Sequence, residues 1–90
     1  MSASFSQPIR NVIGPKIQKL RQAKGWSQIE LVGKLQLGGW DIERTVLTKI
    51  ENGHRCITDY ELILIAKVLG VTLNDLLPRP LGDLAQLFKR

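Results

Sequence analysis

Helix starts and stops, set only a few turns apart, leave this chain little freedom in what it can fold into. Ser27-Gln28-Ile29-Glu30 and Thr58-Asp59-Tyr60-Glu61 each place a hydroxyl three residues before a carboxylate. The hydroxyl can accept from the backbone N–H of the third helical residue, and the carboxylate can reach back to the N–H of the cap. Each box thus satisfies donors that a helix start otherwise leaves unpaired. Thr72-Leu73-Asn74-Asp75 caps a further short helix that Pro78 stops. Pro15 opens the first helix, where its missing N–H is harmless. Gly25, Asn52-Gly53 and Gly70 sit where helices end, and a left-handed residue is expected after Asn52.

Between these signals the apolar residues recur at helical spacing. The first helix carries Ile13, Ile17, Leu20 and Ala23 on one face, and the second, ending at Leu35 or Gln36, turns Leu31, Val32 and Leu35 inward. The third is expected over residues 43–51, capped by Asp41 or Glu43, with Ile42, Leu47 and Ile50 inside. The fourth runs to Leu69 and is apolar nearly all round: Tyr60, Leu62, Ile63, Leu64, Ile65, Val68 and Leu69. No segment reads as a strand, so the expected class is all-α. Residues 1–12 show no sustained period and are expected to form a flexible or extended arm. Residues 78–90 form a tail in which Leu81, Leu84, Leu87 and Phe88 make the stripe of a short C-terminal helix.

Charge is unevenly placed. The net charge is +5, and all of the excess lies in residues 1–58, which hold nine Lys/Arg against four Asp/Glu; residues 59–90 hold four of each. A polyanionic partner would therefore be met by the first part of the chain. A single cysteine, Cys56, excludes an intramolecular disulfide and a multi-cysteine metal site, and is expected as a small buried residue. Cys56 and the lone His54, two residues apart in a loop, suit neither a zinc pair nor a nucleophile–base pair. No enzyme, metal or cofactor is expected. The first eight residues lack the basic start and apolar run of a secretory signal. No apolar stretch is long enough to span a bilayer, so a cytoplasmic protein without membrane contact is expected.

The order of these pieces is familiar. Ile17-Gln18-Lys19-Leu20-Arg21, the run from Ser27 to Leu35, Leu47-Thr48-Lys49-Ile50-Glu51-Asn52-Gly53 and the run from Leu62 to Val71 resemble the Cro/CI-type (XRE-type) helix-turn-helix family over residues 14–77. The resemblance implies a five-helix, lambda-repressor-like domain over residues 13–77. It also implies a double-stranded DNA partner and a role in transcription regulation, most simply repression.

The resemblance makes 43–51 the recognition helix, since a major groove admits one α-helix. With Leu47 and Ile50 inward, Arg44, Thr45, Thr48 and Lys49 are left for DNA, with Val46 beside them. Arg44 would pair bidentately with guanine or hold a phosphate, Thr45 would bond a base edge, and Val46 would touch a thymine methyl. Lys49 matches a position that contacts bases in this family. Gln28, at the start of the second helix, matches a glutamine that clamps a phosphate and braces the recognition helix. Arg21 and Glu51 match a structural ion pair joining the first helix to the end of the third. After the recognition helix, Asn52, His54 and Arg55 fall where similar proteins hold the DNA backbone, and Arg55 is the choice by charge.

Two departures stand out. Gln36-Leu37-Gly38-Gly39-Trp40 lengthens a turn that the family keeps short; Trp40 would pack on the core, or the loop would touch the DNA backbone or meet a partner protein. The fourth helix is too apolar for one side of cover. Its other face needs a second protomer or the tail bearing Leu81, Leu84, Leu87 and Phe88, and a homodimer through the fourth and fifth helices and the tail is expected. The alternative is an antitoxin-like module that binds a partner protein.

Overall fold

The computed structural model describes residues 9–78. Five helices follow in order: α1 Gly14–Ala23, α2 Gln28–Leu37, α3 Arg44–Glu51, α4 Asp59–Leu69 and α5 Leu73–Leu76, with no strand among the described residues. The expected all-α class is what is observed. The tail beyond Pro78, with its expected helix, lies outside the described residues, as do residues 1–8.

The caps form as the sequence dictates. Ser27 accepts from the Glu30 N–H at 3.0 Å while Glu30 accepts from the Ser27 N–H at 2.7 Å. Thr58 with Glu61 and Thr72 with Asp75 make the same reciprocal pair. Helix α3 differs: Glu43 stands at its cap without a side-chain hydrogen bond, and Asp41 lies outside it. Helix α2 runs on to Leu37, slightly past its expected end.

Ile17, Leu31, Leu35, Ile42, Leu47, Ile50, Ile65, Leu69 and Leu76 are fully buried, so all five helices contribute to one core. Each such side chain contributes about 1.5–3 kcal/mol when taken from water. On α1 the expected Ile13, Ile17 and Leu20 pack on the core, but Gly14 and Arg21 are buried as well and Ala23 is exposed. The cause is packing on α3. Gly14 lies against the Ile50 carbonyl, where any Cβ would collide with the backbone. A glycine is required there for close approach rather than for its flexibility.

The lengthened turn is pinned at several points. Trp40 N–H donates to the Leu35 carbonyl at 3.1 Å, Ile42 N–H to Trp40 O at 2.8 Å, and Gln36 Nε2 to Ile42 O at 2.9 Å. Ile42 inserts into the core, and the half-buried Trp40 packs against it. The expected packing of Trp40 on the core is observed. The extra residues therefore leave α3 tied to the end of α2.

Candidate nucleic-acid interface

Helix α3 is divided sharply by face. Leu47, Ile50 and Glu51 are buried, whereas Arg44, Thr45 and Lys49 are exposed and Thr48 is half-buried. The four outward positions share one edge, because residues four apart stack on a helix surface. Val46 is half-buried and packs against the core, so it stands less free than its neighbours.

What holds this edge is a chain of polar contacts running from the interior outward. Arg21 and Glu51 are 7 % and 2 % exposed. Arg21 Nε donates to Glu51 Oε2 at 2.7 Å and Nη2 to Oε1 at 3.1 Å, with Nη1 donating to the Trp26 carbonyl at 2.8 Å. This bidentate pair joins α1 to the last residue of α3, as the family resemblance implied.

Gln28 is the next link. Its Nε2 donates to Glu51 Oε1 at 2.9 Å. A carboxylate has no hydrogen to give, so it fixes which way the amide points. Gln28 Oε1 is thereby turned outward, and it accepts from Arg44 Nε at 3.1 Å and Thr48 Oγ1 at 3.2 Å. The Thr48 hydroxyl shares its one hydrogen between Gln28 and the Arg44 carbonyl, the latter at 3.0 Å. Gln28 thus braces α3, and its amide is engaged with that helix. Arg44, held through Nε, keeps its two terminal nitrogens for another partner.

Arg55 is placed differently from the sequence expectation. Its guanidinium is bidentate to Glu61, Nη1 to Oε1 at 2.9 Å and Nη2 to Oε2 at 3.2 Å, and lies 5.8 Å from the centre of the Trp40 ring. The hydrogen bond to Glu61 raises the Arg55 pKa. The Glu61 carboxyl is lowered chiefly by the same bond, against the opposing effect of burial. This cation is neutralised by a neighbour and ties the 52–57 loop to α4. Cys56, expected to be buried, is exposed, because the loop carries it outside the core.

Asn11 is the residue that sequence reasoning missed. Residues 9–12 were expected to belong to a flexible or extended arm, and they are fastened to the end of α3. Asn11 Nδ2 donates to Ile50 O at 3.1 Å and Arg55 O at 2.7 Å, while its Oδ1 accepts from the N–H groups of Ile13 and Gly14. Arg10 and Asn11 N–H both donate to Gly53 O, at 2.7 and 3.3 Å. The only local signal was an Asn followed by Gly14-Pro15, a helix start; its distant partners carry no signature.

Among the described residues no group of three His, Cys, Asp or Glu converges as a metal site, and no helix is long and apolar enough to cross a membrane. A family model described as helix-turn-helix matches residues 17–76, from the first core residue of α1 to the last of α5. No curated protein and no solved structure gives a significant match.

Proposed function

The chain belongs to the Cro/CI-type helix-turn-helix family of DNA-binding regulators, and we propose that it is a sequence-specific repressor that lays α3 in the major groove. The observation that carries this reading is the braced outward edge of α3. Arg44, Thr45, Thr48 and Lys49 project from a helix whose inner face and end are locked by the core and by the Arg21–Glu51–Gln28 chain. Base reading needs donors and acceptors held before the DNA arrives, since each side chain ordered on binding subtracts from affinity.

The roles follow from the contacts. Arg44 presents two terminal nitrogens, which suit the O6 and N7 acceptors of guanine. Thr45 bonds a neighbouring base edge, Val46 supplies an apolar flank, and Lys49 holds a base or phosphate at the other end. Thr48 and Gln28 position Arg44, and the second Nε2 hydrogen of Gln28 is left for a backbone phosphate. Repression needs no more than occupancy of a promoter.

The binding unit in this reading is a homodimer. One α3 of eight residues is about 12 Å long at 1.5 Å per residue. It touches only a few base pairs, and a two-fold pair of such helices reads two half-sites. The surface that supports self-association is on α4, where Tyr60 and Ile63 are 85 % and 55 % exposed, with Leu37 at the end of α2 at 91 %.

Selection of bound duplexes from a random pool tests the reading. The expected result is a site with two inverted halves, each containing a guanine, spaced about one helical turn apart. Enrichment of a single unpaired half-site, with a monomer by light scattering, would remove the dimer and leave that face to a partner protein. No enrichment, with no binding of any duplex at low salt, would remove the DNA reading.

A further inference from the structure

We propose that Arg10, outside the helix-turn-helix segment, is a contact to the DNA backbone, held at the C-terminal end of α3 by the latch around Asn11. This rests on the reading of α3 as the groove helix.

The latch fixes where Arg10 can be. Its own N–H and that of Asn11 are bonded to Gly53 O, immediately past the cap of α3. Asn11 bonds Ile50 O inside the helix and Arg55 O in the loop beyond it. The same side chain caps the start of α1 through Ile13 and Gly14. Two glycines make the approach feasible. Gly14 admits the Ile50 carbonyl, and Gly53, at φ +80°, turns its own carbonyl toward residues 10 and 11. Residue 10 therefore moves with α3.

The way α3 lies then decides what Arg10 meets. A recognition helix puts its N-terminal residues on base edges. With Arg44 and Thr45 on the bases, the C-terminal end of α3 is the end nearer a groove wall, where a phosphate strand runs. That end carries the negative pole of the helix, which repels phosphate unless a cation stands beside it. Lys49 is the cation α3 itself supplies in its last turn. Arg55, which charge and chain position would choose as the second, is already paired with Glu61 and turned toward Trp40. Arg10 is exposed, and its side chain makes no hydrogen bond or ion pair to any described residue. A guanidinium at this place, fixed by its backbone and free at its head, matches a phosphate oxygen.

The test is the salt dependence of duplex binding by the full chain, for wild type, Arg10→Gln, Arg10→Lys and Lys19→Gln. Arg10→Gln is expected to melt as wild type does and to bind every duplex several-fold more weakly, specific and non-specific alike. The slope of log affinity against log salt should fall by about 0.9, the value for one phosphate contact. Arg10→Lys should keep the slope. Lys19→Gln removes the same charge from the exposed side of α1, away from α3, and should also keep it. A wild-type slope in Arg10→Gln overturns the proposal while leaving the α3 reading intact. An equal loss in Lys19→Gln overturns it too, because net charge alone would then explain the effect. If wild type binds no duplex at low salt, the α3 reading fails with it.

Discussion

Replacing Glu51 with alanine probes the link between stability and recognition more sharply than any other single change. The carboxylate lies in the interior, 2 % exposed, and receives three hydrogen bonds, two from Arg21 and one from Gln28. Without it Arg21 stays buried, with only the Trp26 carbonyl as a partner. Stranding one member of a buried pair costs about 3–5 kcal/mol. Two smaller effects oppose this. A carboxylate at a helix C-terminus is unfavourable by about 0.3–1 kcal/mol, and alanine is the better helix former by a few tenths. The pair wins, and the net loss is about 2–4 kcal/mol. For a domain of this size that lowers Tm by roughly 10–30 °C, read by thermal melting. A companion variant separates structure from function. Replacing Arg21 and Glu51 together with leucines removes both charges, and should recover most of the stability. It should not recover operator affinity, because nothing then turns Gln28 Oε1 toward Arg44. A Glu51→Ala protein within about 1 kcal/mol of wild type would refute the burial argument. A double variant that regained full operator affinity would refute the orienting role of Gln28.

Gly14→Ala should be among the most damaging small substitutions, since its methyl would collide with the Ile50 carbonyl. A loss of about 3 kcal/mol is expected, the upper range of overpacking, and a melt like that of wild type would mean that α1 can move away. The Arg55–Glu61 pair predicts a pH dependence. The folded pKa of Glu61 lies below its ordinary 4.5, so its contribution is complete above that value and is lost as pH falls through the lower folded value. Acid titration of stability should be shallower in Glu61→Gln than in wild type below that pH, and identical slopes would show that the pair is not felt by folding.

What was legible in the sequence was what is settled locally. Ser27 with Glu30 and Thr58 with Glu61 are three residues apart, so their caps follow from spacing alone. Leu47 and Ile50 were placed inside by helical period, and the Arg21–Glu51 pair by resemblance to a family. Other placements depend on contacts that the local pattern does not show. Arg55 was chosen by charge, which does not reveal that Glu61, six residues on, caps α4 and also pairs with it. One carboxylate does both, since Glu61 Oε1 accepts from Thr58 N–H at 3.0 Å and from Arg55 at 2.9 Å. Ala23 fits the apolar stripe of α1, but close packing on α3 buries Gly14 and Arg21 and leaves Ala23 outside. Asn11 bonds partners 39 and 44 residues away, a relation that neither period nor composition encodes. The turn before α3 is likewise fixed by partners that its local pattern does not show, Ile42 in the core and hydrogen bonds that bind the excursion to α2.

The central claim is that the outward edge of α3 reads DNA sequence. It is tested most directly by the affinity of an Arg44→Ala, Thr45→Ala double variant for the selected duplex and for an unrelated one. Both side chains are exposed, so the variant should fold. If they read bases, specific affinity should fall by about 1–3 kcal/mol for each side chain removed, while salt-dependent binding to unrelated duplex persists. Discrimination between the two duplexes should largely vanish. Undiminished affinity for the selected duplex, with discrimination intact, would contradict the assignment of α3 as the reading element.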